Sequence, residues 1–447
     1  MTIDDVTLAL PVHELQQRLA ARAFTAVELT EAYLRRIERD APRLNCFVTV
    51  TPERALADAR RADAERAAGR RGPLLGIPYA VKDAIDTAGI TTTWGTSALR
   101  GRIPAKDALV VAHLTRAGAV LLGKTALTEL CAAFSDEPFS TLGGPCRNPH
   151  DPTRWSGGSS GGSAVAVAAN LCAFAIGTET SGSIEQPASW CGVVGMRPTY
   201  GLVDRDGVMP LSWSLDKVGP FCRDPADLRE LVPALMNAAG PLDRAPAPRI
   251  GIVDRLAEPL GDPGDPALWS AAKDALRRAG CTLVPIALPE LPSAAAMTAI
   301  LETDIFVALE DFIRAGHVEH LAARRPWREI LGEHRALGIT GEDYVKAQRV
   351  RTVLQRAYSA LFQQVDAIAT FGMPRLPLVI GQQPEELRQP GARVQLRDEG
   401  NLCGLPMLAL PIGATAHGLP RSLHAVAAPY GEHVLIELAL RHRSADL

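Results

Sequence analysis

SGGSSGGSAVAVAANLCAFAIGTETSGSIEQPA, residues 156–188, is the stretch on which the fold turns. It opens on a serine- and glycine-rich loop, Ser156 to Ser163, and passes into small residues, Ser163 to Leu171, that suit a closely packed helix. The apolar run Cys172 to Ile176 then reads as a buried strand, and a second glycine-bearing turn, Gly177 to Ile184, follows it. Flexible linkers seldom sit directly against a well-formed helix and strand, so the first loop reads as ordered. The two loops bracket one helix and one strand, which can bring Ser159 and Ser183 together in space. Successive backbone N–H groups of the second turn can converge on one point, as in an oxyanion hole.

Two other readings of the loop lose support. A phosphate-binding loop needs a lysine before its helix, and none is present. Gly158-Ser159-Ser160-Gly161-Gly162 fits G-x-S-x-G, which would make Ser160 the nucleophile of an α/β-hydrolase esterase. That elbow needs a strand upstream, where the proline-broken segment Asn148 to Trp155 stands instead, so it ranks second.

Working outward, Leu75 to Val81 is an apolar run bounded by glycine and proline and closed by Lys82 and Asp83. Asp107 to Ala117 reads as a helix, Ala119 to Gly123 as a strand, and Ala126 to Ala133 as another helix, an alternation that predicts α/β layers. The first seventy residues are helical by pattern. Thr25-x-x-Glu28 forms a capping box ahead of Leu29, Ala32, Tyr33 and Ile37, and Pro52 to Ala68 forms a second helix with an alanine stripe. Arg249 to Val253 and Cys281 to Pro285 read as strands around the helix Pro266 to Ala279, long helices occupy about 295 to 365, and Ala367 to Phe371 returns to strand. No internal repeat or low-complexity linker divides the chain, so 1–447 reads as one unit, with a helical N-terminal segment over 1–70 and a variable helical segment over 295–390 near the pocket mouth. Phe306, Trp327 and Tyr344 in that segment read as core.

Composition bounds the function. With 447 residues, 47% hydrophobic and a net charge of -3, the chain has a large core and no electrostatic footprint for nucleic acid. Asp4 and Asp5 stand where a signal peptide would be basic, and the run Ala164 to Ile176, interrupted by Asn170, falls short of the ~20 residues that span a bilayer. Eight scattered cysteines without a C-x-x-C pair read as reduced residues in the cytoplasm, and His317 and His320 have no companions that would complete a metal site.

Lys82 alone reads as a lysine that reaches solvent from a strand end. Taken with the two serine loops, it changes meaning. Val81-Lys82-Asp83, Gly157 to Ser163 and Gly177 to Ile184, with Ser159 and Ser183 24 residues apart, resemble the amidase signature enzymes. Cys191 to Thr199, Asn401 to Pro406 and Gly418 to Pro420 extend the likeness nearly end to end. The resemblance implies an α/β fold, a large mixed, mostly parallel central sheet covered by helices on both faces. It implies Ser183 as nucleophile, Ser159 as bridging serine after a cis Gly158-Ser159 bond, and Lys82 as general base. Thr180, Ser181, Gly182 and Ser183 would supply the oxyanion hole, with no cofactor and no metal. Such a base must be neutral near pH 7–8, a depression of roughly three pKa units from ~10.4, about 4 kcal/mol, which burial can impose.

The resemblance further implies hydrolysis of the C–N bond of an amide, carbamates and urethanes included. Glu185 stands where arginine is frequent, which points either to a neutral or cationic substrate or to a structural ion pair; Ser181 and Ala84 also depart from the common pattern. The partner expected is a small-molecule amide, without nucleic acid or membrane, and a homodimer fits. The alternative is the amidase subunit of a tRNA-dependent glutamine amidotransferase, which releases ammonia to a partner. A non-catalytic relative is the third reading, opposed by the presence of all three relay residues.

Overall fold

Apolar runs punctuated by glycine and proline become the strands of a sheet that crosses almost the whole chain. The computed structural model of the protein describes residues 3–132, 139–140, 142–238, 240, 242–254, 261–322, 338–381 and 395–445. Its strands are β1 (Phe47–Val50), β2 (Pro78–Lys82), β3 (Val120–Thr125), β4 (Phe139–Ser140), β5 (Gly144–Pro145), β6 (Phe174–Glu179), β7 (Val194–Arg197), β8 (Lys217–Cys222), β9 (Arg249–Val253), β10 (Thr282–Pro285), β11 (Ala367–Phe371), β12 (Met407–Ala414) and β13 (Pro420–Ala427). All but the short β4–β5 ribbon join one sheet in the order β1-β3-β2-β6-β8-β7-β12-β13-β11-β9-β10.

The sheet is mixed, as expected, with a smaller parallel share than expected. β2 pairs in parallel with β3 and β6, and β9 with β10 and β11. The other six pairings, including all those from β6 to β11 through the centre, are antiparallel. Every residue of β2, β6, β8 and β13 is buried, so both faces of the central sheet are covered. The helix Gly161–Ala168 packs on β6 and β2, and the helix Glu185–Cys191 on β7, β12 and β13. Each of these two helices begins directly after one of the serine loops.

The N-terminal helices form as the pattern predicts. Thr25 and Glu28 make the reciprocal capping box that starts the helix Ala26–Leu44, and Leu29, Tyr33 and Ile37 enter the main core. The helix Pro52–Ala67 lays Ala55, Ala59 and Ala62 on the sheet near β3. The predicted helix near Ala126 is instead a single tight turn, Glu129–Ala132, because Leu130 and Cys131 adopt left-handed backbone. The strand read as Cys172 to Ile176 runs on through Gly177-Thr178-Glu179, since these three pair with Gly219, Val218 and Lys217 of β8. Among the described residues of this segment the α-helices are Ser293–Ala308, Glu310–Arg314 and Gly341–Leu361; Trp327 lies outside the described residues. Among the described residues no helix is long and apolar enough to cross a membrane.

Candidate active site

β2 and β6 lie side by side in parallel, so their C-terminal ends open at one edge of the sheet, where Lys82 and the turn after Glu179 emerge. Lys82 is fully buried, and its amine contacts the Ser159 hydroxyl at 2.7 Å and the Thr178 hydroxyl at 2.8 Å. Burial pushes the amine below its ordinary value, with the Cys131 thiol, Asp216 and Glu179 pulling weakly the other way. A neutral amine has two protons and one lone pair, so it can donate to Thr178 while accepting from Ser159.

The Gly158-Ser159 peptide bond is cis, as the resemblance implies. The loop is held from several sides: Gly158 N–H donates to Gln186 Oε1 at 3.1 Å, and Thr128 N–H donates to the Ser159 carbonyl at 3.3 Å. A side chain at 158 would meet Thr128 and Trp155 at 2.8 Å, which explains the glycine. Ser160, the nucleophile of the elbow reading, is fully buried; its hydroxyl donates to the Thr178 carbonyl at 3.0 Å and accepts the Thr178 N–H at 3.2 Å. With both capacities used on the β6 backbone, Ser160 is a structural residue. Ser163 Oγ similarly donates to the Ile176 carbonyl at 3.0 Å.

The second turn carries Ser183. Unlike Lys82 and Ser159 it is only half-buried, as is Ser181, so of the two serines Ser183 is the one open to solvent. Among the described residues no hydrogen bond links the Ser159 and Ser183 hydroxyls; the two loops are joined by Ser160 N–H donating to the Ser183 carbonyl at 3.2 Å. Catalytic contacts of this kind often tighten only with substrate bound. Gly182 sits at φ 91°, and a Cβ there would lie 2.9 Å from Arg397 Cδ, so both conformation and space require glycine. The Thr180 hydroxyl donates to Asp216 Oδ1 at 2.6 Å, fixing the turn laterally.

Glu179 clasps the turn from behind. Its Oε2 accepts the N–H groups of Ile184 and Glu185 at 2.8 and 3.1 Å, at the start of the helix Glu185–Cys191. Its Oε1 accepts from Arg197 Nη1 at 2.6 Å and Asn401 Nδ2 at 3.1 Å. Burial alone would raise this carboxyl, but the Arg197 charge, a side-chain hydrogen bond with Glu185 and the Lys217 charge hold it well below the usual range. Glu185 is 1% exposed and its carboxyl contacts Arg197 Nη1 at 2.5 Å, so its side chain is turned into the interior beside that guanidinium. Asp83, next to Lys82, accepts the Thr93 N–H at 2.9 Å and lies 3.3 Å from Lys124, whose buried amine is pushed down to about 8.

Several of these residues escaped the sequence reading. Arg197 and Asn401 lie inside segments quoted for the resemblance without a role of their own. Thr178, Asp216 and Gln186 carried no signal, because hydroxyls, acids and amides near a turn are ordinary. Lys124 lies near the end of an apolar strand, one residue before its last, much as Lys82 ends its own, and that parallel was the available clue.

Comparison with known proteins supports the family and corrects one expectation. The family model "Amidase" matches residues 28–436. The chain is 36% identical to a glutamyl-tRNA(Gln) amidotransferase subunit of Geobacter sp. (strain M21) and 37% identical to its counterpart in Geobacter metallireducens, covering 96% of both chains in each case. Its structure resembles that of native peptide amidase from Stenotrophomonas maltophilia, with TM-score 0.76, 33% identity and coverage of 97% of this chain and 96% of the other. A crystal structure described as an amidase gives TM-score 0.86 at 29% identity, covering 98% of this chain and all of the other. The expected partner set, a small-molecule amide and no nucleic acid, is overturned by the names of the amidotransferase relatives, which are subunits in glutamyl-tRNA(Gln) chemistry. Composition is a weak guide on this point, because relatives named for tRNA chemistry are single subunits whose own net charge need not be basic. With that match over most of its length and relatives above 30% identity along it, the chain belongs to the amidase family.

Proposed function

We propose that this chain is the amide-cleaving subunit of a tRNA-dependent amidotransferase, which frees ammonia from glutamine through an acyl-enzyme on Ser183. The observation that carries amide cleavage is the contact of the fully buried Lys82 amine with Ser159, beside the turn that presents Ser183. The role within an assembly is supported by the relatives of that name at 36–37% identity over 96% of the chain. Neutral Lys82 takes the Ser159 proton while Ser159 takes that of Ser183, whose oxygen attacks the amide carbon. The N–H groups of Thr180, Ser181, Gly182 and Ser183 receive the oxyanion, each donor lowering the barrier by about 3–4 kcal/mol. The relay then returns its proton to the departing nitrogen, and water, activated by the same groups, releases the acid.

The test is ammonia release from glutamine by the chain with its co-purifying subunits. Ser183→Ala and Lys82→Met are expected to lower it at least a thousandfold, and retained activity in Ser183→Ala refutes the reading. A second reading, an amidase that acts without other subunits, is favoured by the likeness to peptide amidase over 97% of the chain. Hydrolysis of peptide amides by the isolated chain, with no co-purifying subunits, would select it.

A further inference from the structure

Directly behind the turn, two buried polar atoms have no hydrogen-bond partner among the described residues: Glu185 Oε2 and His424 Nδ1. They face each other at 3.6 Å, and both residues are at most 1% exposed. At that separation the two are not hydrogen-bonded, and two bare acceptors facing each other in the interior are costly, so a proton on one of them is implied. The surrounding bonds decide where it sits. Ser189 Oγ has one proton and lies 2.7 Å from the Glu185 carbonyl, which can only accept, so the proton is spent there. The same oxygen accepts from Ser422 Oγ at 2.7 Å, and its third contact, His424 Nε2 at 2.8 Å, must therefore be donated by the ring. The imidazole carries its proton on Nε2 and presents a bare Nδ1 to Glu185.

On the other side, one Arg197 nitrogen touches both Glu179 at 2.6 Å and Glu185 at 2.5 Å. Glu179 also holds two backbone N–H groups and Asn401, which makes it the ionised member of the pair. We propose that Glu185 is a positioning residue held as the neutral acid between the ionised Glu179 and the bare His424 Nδ1, and that this proton keeps the turn bearing Ser183 in place between β6 and β13. The groups facing the pair are Glu179 on β6, Arg197 on β7, Lys217 on β8, Arg397 on the helix Gln395–Cys403 and His424 on β13. Burial, with the Glu179 charge, raises the Glu185 carboxyl well above its ordinary value, and burial pushes His424 down to about 3, both in keeping with the geometry. The proposal rests on the role given above to the turn, but its test does not need activity.

A carboxyl whose pKa is raised on folding loses stabilising effect as pH climbs from the unfolded value, near ~4.3, through the folded one. Glu185→Gln keeps a donor toward His424 and an acceptor toward Arg197 but cannot ionise. Its Tm is therefore expected to gain on that of the natural chain steadily from about pH 5 to pH 8, and its kcat to persist further into alkali, whereas Glu185→Ala lowers kcat at every pH. In 15N NMR of the natural chain, His424 is expected as the neutral Nε2–H tautomer with a bare Nδ1. A pH-independent Tm difference, or an Nδ1–H tautomer, overturns the proposal. Loss of function in Ser183→Ala is judged separately, so failure here and failure of the functional reading remain distinct.

Discussion

Replacing Glu179 by glutamine tests the idea that the turn is clasped electrostatically from behind. The carboxylate accepts four bonds, two from backbone N–H groups on Oε2 and two from Arg197 and Asn401 on Oε1. A carboxamide has one accepting oxygen, so whichever way it turns, its NH2 faces donors. If the NH2 faces Arg197, a buried guanidinium loses the ionised partner on this side, and breaking a buried pair in this way costs about 3–5 kcal/mol. If it faces the helix start, two charge-assisted bonds are lost, at about 1.5–3 kcal/mol each. The two routes give a loss of roughly 3–6 kcal/mol, and the turn must shift to relieve the clash. A displacement near ~1 Å at a catalytic turn lowers kcat about a hundredfold. Urea unfolding and ammonia release from glutamine check the two figures. Full stability with kcat within twofold of the natural chain would show that the clasp contributes nothing. The pH sign is also fixed: the folded carboxyl lies far below the unfolded one, so its stabilisation is complete above ~4.3 and fades only as pH falls through the folded value.

Four further outcomes are expected. Lys82→Met abolishes turnover yet stabilises the fold near neutral pH by roughly 1–4 kcal/mol, because a desolvated amine is replaced by an apolar chain; calorimetry showing destabilisation would contradict a depressed amine. With its folded value lowered, the Lys82 base form is lost as pH drops through that value, so the acid limb of kcat belongs to this amine, and Lys82→Arg gives no activity at any pH. Gly182→Ala lowers kcat and costs about 1–2 kcal/mol from its φ of 91° alone, before the contact with Arg397; urea melts and kinetics read both. Ser160→Ala costs about 1–3 kcal/mol by stranding the Thr178 backbone groups but leaves labelling of Ser183 by a serine-reactive probe intact, whereas loss of labelling would revive the elbow reading.

What was legible in the sequence was local. Loops with glycine at 157, 158 and 182, a lysine ending an apolar strand, and a capping box at Thr25 and Glu28 each reflect constraints within a few residues, and each is found in the structure. The sheet order was not legible, because β8 enters antiparallel between β6 and β7, and no local pattern reports which strand a later segment will join. The turn Glu129–Ala132 was misread for a related reason. Its left-handed residues are fixed by Leu130 N–H donating to the Trp94 carbonyl at 2.9 Å, a tertiary bond overriding helical composition. The clasp around Glu179 joins residues as far apart as 179 and 401, so its members could be quoted but not connected.

That long reach has a consequence for biogenesis. While the ribosome is still adding the C-terminal segment, the lysine and both serines have already emerged, but Asn401 and His424 have not yet joined their neighbours. A chain that stops short of these residues would carry Lys82, Ser159 and Ser183 without the frame that holds the second turn.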